Sequence, residues 1–200
     1  MQKELSFQVP GWSCPLRCDR CEHVRANGLR CKNRVCYGSP VCWIHNKEKY
    51  GIISRQSTIP AAGKGLFATR LFQRNRWVCP YIGESIATEC SDQRYPGAMT
   101  APYAAAAPNN VVVDSACRRG IAASANGRFN VNGTVASLSR HNCIIRHRPV
   151  GDGIPGLWLK TTKRIQPGRE IFVWYGAGGY QLDDNHSTRR RESVPDSRPC

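Results

Sequence analysis

Two groups of residues in this 200-residue chain have the types and spacing to do chemistry. The first is a series of thiols, Cys14, Cys18, Cys21, Cys31, Cys36 and Cys42, closed by His45. Zinc takes four soft or borderline ligands in a tetrahedron, usually from two short chelating turns. Cys42-x2-His45 and Cys18-x2-Cys21 both have chelating spacing, and Cys31-x4-Cys36 is a looser third option. The N-terminal stretch MQKELSFQVPGW has no signal-peptide core, so a dense Cys/His cluster is expected to bind metal rather than form disulfides. The second group is Gly63-Lys64-Gly65, which at first sight suggests a phosphate loop. A P-loop needs G-x4-G-K-[S/T], but here Gly65 follows the lysine and Thr58 stands where the first glycine belongs. A G-x-G-x-x-G fingerprint also fails, because Ala68 stands at the third glycine position. What is left is a tight turn entering a strand, where missing Cβ atoms let a ligand approach the backbone.

The elements that must position these groups fall into three segments. Residues 1–50 are cysteine-rich with little apolar periodicity, residues 51–180 alternate short apolar runs with Gly and Pro, and residues 181–200 read as a disordered tail. In the middle segment the runs 65–68, 77–83, 110–114, 143–147, 157–161 and 170–176 are strand-sized and rich in β-branched and aromatic residues. Only 115–126 reads as helical, with Asp114 or Ser115 as N-cap and Asn126 as a C-cap before Gly127. Ala104–Ala107 could add a brief helix that Pro108 would stop, and 127–141 reads as a loop. The expected class is mainly β with short helices. No apolar run approaches the roughly 18 residues of a membrane span, so a soluble, intracellular protein is expected.

Net charge is +15, with nine Lys/Arg against four acids in residues 1–50 and sixteen against six in residues 51–180. The tail balances at four each, so the excess belongs to the two leading segments and favours contact with polyanions such as nucleic acid.

The segment CEHVRANGLRCKNRVCYGSPVCWIH resembles small zinc modules of the form C…G-x-x-C…C-x-x-H. That resemblance implies Cys21, Cys31, Cys42 and His45 as ligands of a structural zinc. Spacing alone admits Cys18 in place of Cys31, and leaves Cys36 a further option.

Four stretches, IPAAGKGLFATR (59–70), YIGESI (81–86), DSACRRGIAASAN (114–126) and IQPGREIFVWYG (165–176), resemble in order and spacing the SET-domain protein-lysine methyltransferases. The VWYG ending is especially similar to the PR-type branch of that family. The resemblance implies several small sheets and a C-terminal pseudoknot that brings the Asn126 region beside Tyr175. It also implies S-adenosylmethionine as cofactor, held by the Lys64-Gly65-Leu66 backbone, by Asn126 and Gly127 in place of the family's Asn-His pair, and by Tyr103. Tyr175 matches the catalytic tyrosine, and the substrate would be a protein lysine, with histones or nucleosomes and a nuclear or cytoplasmic location suggested by analogy. Asn142 resembles the family's second asparagine but lies unusually far downstream, and the cysteine-rich zinc site that often follows the domain is absent. Val173, where an aromatic often limits methyl number, implies room for more than one methyl. The competing expectation is a zinc-containing chromatin or nucleic-acid binding protein with an inert SET-like domain. The presence of Tyr175 and Asn126 favours the enzyme.

Overall fold

The structure is a computed structural model that describes residues 19–35, 39–60, 62–95, 103–115, 120–127, 141–148 and 156–175. Cys14, Cys18, Cys36, nearly all of the 127–141 interval and the 181–200 tail lie outside these residues. The N-terminal module opens with a two-stranded sheet of β1 (Asp19–Arg20) and β2 (Arg34–Val35). A 3-10 turn, Trp43–His45, leads into helix α1 (Asn46–Tyr50). Gly51, at φ 71°, ends that helix with its N–H on the Lys47 carbonyl. This left-handed conformation suits a residue without a Cβ and swings the chain into β3 (Ile52–Gln56).

The body consists of three small sheets. β4 (Lys64–Ala68) lies between β3 and β11 (Glu170–Ile171) in an antiparallel three-stranded sheet. β6 (Glu84–Ala87), β8 (Val111–Asp114) and β7 (Ala104–Ala107) form a second, also antiparallel. Helix α2 (Thr88–Arg94) sits between β6 and β7 in the chain. The third sheet runs in the order β12 (Val173–Trp174), β9 (Cys143–Arg148), β10 (Gly156–Thr161), β5 (Trp77–Pro80). Ile52, Leu66, Leu159, Ile171 and Val173 are fully buried in one core that also takes in Cys21, Cys31 and Tyr50 of the N-terminal module. Burial of that apolar surface is the main stabilising term for sheets this short.

Every strand-sized run is strand over most of its length, although 77–83 stops at Pro80 and 170–176 is divided between β11 and β12. Three helix-related readings are corrected. Ala104–Ala107 is strand β7, because pairing with β8 and burial against its apolar residues outweigh alanine's helix propensity. In 115–126 the described residues show only a 3-10 turn, Ile121–Ser124. Asp114 is no N-cap: it ends β8, and its carboxylate accepts from Arg94 at 2.8 Å and from the Tyr95 hydroxyl at 2.9 Å, fastening α2 to the sheet. Ser115 is equally engaged elsewhere, donating to the Ile82 carbonyl at 2.5 Å. Burial works against the Arg94 charge, yet the hydrogen bonds to Glu84 and Asp114 prevail and raise its pKa. Among the described residues, no helix is long and apolar enough to cross a membrane.

The last strand is doubly tethered. On one side Phe172 bridges Asn126 in parallel and the Val173 N–H donates to the Asn126 carbonyl at 2.9 Å. On the other, β12 pairs in parallel with β9, and the Phe172 carbonyl accepts from the N–H groups of Asn142 and Cys143. The Asn142 side chain then imitates a peptide unit, accepting from the Phe172 N–H at 2.8 Å and donating to the Glu170 carbonyl at 2.9 Å. The C-terminal strand thus runs between residues 126 and 142, as the pseudoknot topology requires.

Candidate active site and metal centre

The N-terminal module gathers Cys21, Cys31, Cys42 and His45 so that their ligand atoms lie within 4.8 Å of one another. His45 Nδ1 is 3.5 Å from Cys21 Sγ and 3.2 Å from Cys42 Sγ, and all three thiols are buried. Separations of this size are those between corners of a tetrahedron with zinc–ligand bonds of about 2.0–2.3 Å. The chelating turn works because Cys42 precedes the 3-10 turn that carries His45 around to the same point, with the His45 N–H on the Cys42 carbonyl at 2.9 Å. Burial pushes the Cys42 thiol up, but the Asn33 amide and the backbone N–H groups of His45 and Ile44 outweigh it and lower its pKa. Cys21 goes the other way, because burial dominates there. The His45 imidazole is held toward its neutral, ligating form by burial and by the neighbouring His23, whose ring stacks on it at 3.7 Å. A buried cluster of three thiols and one neutral imidazole fits a structural zinc, and no position is left open for a reacting water.

The second site is assembled around Glu170, at the start of β11. Its carboxylate is 5% exposed yet accepts from the Ser57 hydroxyl at 2.7 Å, the Thr58 N–H at 2.7 Å, the Thr58 hydroxyl and the Asn126 amide at 3.3 Å. Buried charge is costly unless hydrogen-bonded, and these four donors offset that cost. The Asn126 amide also donates to the Ser57 hydroxyl and to the Lys64 carbonyl, both at 3.1 Å. It is therefore not acting as a helix C-cap. Instead it ties the segment before the long loop to the edge of β4.

That arrangement accounts for the Gly-Lys-Gly stretch. A Cβ on Gly65 would stand 2.1 Å from Glu170 Oε1, so only glycine lets β4 pass over the buried carboxylate. β3 pairs with β4 through Lys64, but β11 pairs only with Leu66 and Phe67, so on the β11 side this end of β4 faces Asn126. Leu66 is fully buried and lies between Ser54 of β3 and Ile171 of β11. Gly127 follows Asn126, half-buried.

Tyr175, immediately after β12, donates its hydroxyl to the Ala125 carbonyl at 2.7 Å. Burial raises its pKa well above 10.0, and the neighbouring Tyr81 and Tyr103 push the same way, so the phenol is neutral at physiological pH. Tyr103 sits at φ 60°, and its carbonyl accepts from the Tyr81 hydroxyl at 2.9 Å and from the Ser115 N–H at 2.9 Å. Tyr103 therefore belongs with Tyr81 to the wall around Tyr175 rather than to the Lys64–Asn126 contact. Sequence reasoning did not single out Glu170, Ser57, Thr58, Tyr81 or Ala125. The one available signal was an acid opening an otherwise apolar strand run, EIFVWYG, where burial demands donors from elsewhere.

Comparison with known proteins agrees with this fold. The family model described as "SET domain" matches residues 63–176. No curated protein sequence matches. Among solved structures, one described as "Structure of ctPRC2 in complex with H3K27me3 and H3K27M" superposes with a TM-score of 0.50 at 21% identity, over 62% of this chain and 14% of that one. An active polycomb repressive complex 2 in the stimulated state gives a TM-score of 0.50 at 21% identity, covering 62% and 15%. The chain thus spans about one-seventh of the length of these chains, and at that identity the likeness shows the fold alone. From β4 to Tyr175, the chain belongs to the SET-domain family.

Proposed function

We propose that the chain transfers methyl groups from S-adenosylmethionine to the ε-amine of a protein lysine, with the N-terminal module holding a structural zinc. The observation that carries the reading is the convergence of Tyr175, Ala125, Asn126 and Lys64. The C-terminal strand lays the tyrosine hydroxyl against Ala125, while the next residue, Asn126, bonds the β4 edge. The residues present fit the cofactor: a strand end beside an asparagine amide offers backbone groups, and at Gly63, which opens the approach to it, even a Cβ would meet nothing within 4 Å. When bound, the cofactor supplies an electrophilic methyl group on a sulfonium centre.

The chain's own contribution is positioning and desolvation. A lysine in water, with a pKa near 10.4, is less than about 0.1% free amine at neutral pH. Burial among aromatic side chains disfavours the ammonium and raises that fraction. Because Tyr175 gives its proton to the Ala125 carbonyl, its oxygen keeps lone pairs that can accept from an amine N–H or weakly polarise a C–H. A neutral phenol with a raised pKa orients the amine and does not serve as its base. Orientation of this kind is worth on the order of 100-fold in rate for a misplacement of about 1 Å. Histones and nucleosomes are the substrates to try first, by analogy with the fold family.

The test supplies labelled S-adenosylmethionine with core histones, nucleosomes and ribosomal extract, comparing the wild type with Tyr175→Phe. Transfer to a lysine by the wild type, reduced roughly 100-fold in the variant, supports the reading. Absence of both cofactor binding and transfer to any protein would falsify it. Mass spectrometry of the product should find more than one methyl added, since Val173 is no aromatic barrier.

A further inference from the structure

The described stretches 69–83, 141–148 and 156–165 contain eight Lys or Arg and no Asp or Glu. They supply three strands of the β12-β9-β10-β5 sheet and the turns beside it. Residues paired directly across a ladder share a face, so the register decides where these cations lie. Lys160 pairs with Trp77 on one side and Ile144 on the other, and Ile144 pairs with Trp174. One step along, Trp158 pairs with Arg146, and beyond it Gly156 pairs with Arg148. A single face therefore carries Trp77, Trp158, Trp174, Arg146, Arg148 and Lys160. Trp158 is covered there, buried and edge-on to the Tyr50 ring at 6.1 Å, so the accessible part of this face is Trp77, Trp174, Arg146, Arg148 and Lys160. The opposite face carries Cys143, Leu157, Leu159 and Val173, all buried in the core.

The cations on this face lie against rings rather than against acids. The Arg148 guanidinium is 4.5 Å from the Trp158 ring centre and 5.7 Å from that of Trp77, and Lys160 Nζ is 4.7 Å from Trp77. Among the described residues, the ion pairs use Glu22, Glu48, Glu84 and Asp114, none of which lies on this sheet face. Arg148 Nε is buried with no hydrogen-bond partner among the described residues. Trp77 and Trp174 are half-buried and Arg146 is exposed, so ring and charge are both presented to solvent, flanked by exposed Arg74 and Arg76. Uncompensated cations interleaved with indoles match a ligand that alternates phosphates with flat bases. A duplex hides its bases from stacking, and this face has no helix to enter a groove.

We propose that this face of the β12-β9-β10-β5 sheet binds single-stranded nucleic acid, its phosphates on Arg146, Arg148 and Lys160 and a base stacked on Trp77. Val173 turns into the core and Trp174 turns to the cationic face, so the strand binds on the side of the sheet away from the Tyr175 phenol. Binding therefore needs neither the cofactor nor the proposed methyl transfer, and its failure would be separate from theirs.

The experiment measures fluorescence anisotropy of labelled single-stranded RNA and DNA of about 15 nucleotides, a span suited to one such platform, with the full chain across a salt titration. Duplex DNA of the same length and heparin are the comparison arms. Single strands should bind at least about tenfold tighter than duplex and quench tryptophan emission, since stacking contributes on the order of tenfold per base. Arg146→Glu with Lys160→Glu should weaken binding and lower the log–log salt slope by about two. Trp77→Ala should weaken single-strand binding about tenfold while leaving the slope in place. Preference for RNA or DNA would identify the source of the strand and support the face either way. Duplex or heparin binding as tight as single-strand binding, without quenching, overturns the proposal, as does unchanged affinity in the Arg146/Lys160 variant. That variant's melting profile, unchanged from wild type, guards against unfolding, and Arg146→Glu alone supplies a milder version on an exposed residue.

Discussion

The Cys/His module and the Asn126–Tyr175 site are both clusters of polar side chains within hydrogen-bond reach, but they are assembled over very different stretches of chain. Cys21 and His45 are 24 positions apart, and Cys42 and His45 only three. Asn126 meets partners 44, 62 and 69 positions away. Short closures cost little entropy and leave the remaining work to an ion, whereas the second site exists only after three sheets have packed. The module's geometry should therefore depend on metal, and the Tyr175 site on buried protein contacts.

The sharpest way to break the comparison is to remove metal. Structural zinc contributes about 10–16 kcal/mol in small modules. Chelation, or Cys42→Ser, should abolish one equivalent of bound metal and melt the module as a separate early transition, read by elemental analysis and scanning calorimetry. Survival of the module's structure without metal would remove the distinction between the two regions. The next effect is on the other side. Glu170→Ala leaves the Ser57, Thr58 and Asn126 donors without their acceptor, and each unsatisfied buried group costs about 1–3 kcal/mol. A loss of roughly 3 kcal/mol in urea unfolding is expected, with metal content unchanged.

The smallest effect concerns pH. Burial holds the thiols of Cys79 and Cys143 above their ordinary 9.0 and the Tyr175 phenol above 10.0. In the unfolded chain these groups lose protons at their ordinary values, so above about pH 9 the unfolded state binds fewer protons than the native one. Stability is then complete below pH 9 and falls as pH rises, by about 1.4 kcal/mol per pH unit for each group fully ionised only when unfolded. Alkaline denaturation followed by tyrosinate absorbance at 295 nm (roughly the tyrosinate band of a phenol with pKa near 10) should show Tyr175 ionising only with unfolding. Early, reversible ionisation of all the tyrosines would show the Tyr175 pocket to be open to water.

What could be read from the sequence follows the same division. Most strands of the middle segment were legible because β-branched and aromatic runs bounded by Gly and Pro state their own period, but the more polar β3 (Ile52–Gln56) and β6 (Glu84–Ala87) were not. The four gathered residues were legible through spacing and a module resemblance, which favoured Cys31 over Cys18 only by analogy. Ala104–Ala107 was misread because alanine carries helix propensity in isolation, and only the neighbouring β8 edge reverses it. Asp114 was misread for a similar reason: an acid before a small residue is a good cap locally, but Arg94 at the end of α2 and the following Tyr95 claimed it.

By itself, then, the sequence determined the local quantities: strand-forming runs, chelating turns, an excess of positive charge and the ordered motifs of a SET domain. Only the tertiary structure decided why Gly65 must be glycine, where Tyr175 sends its proton, and which face of the last sheet gathers the tryptophans and arginines. Those facts depend on long-range register and on a strand running between residues 126 and 142. Side-chain chemistry announces itself one residue at a time, while distance between remote residues is set by packing.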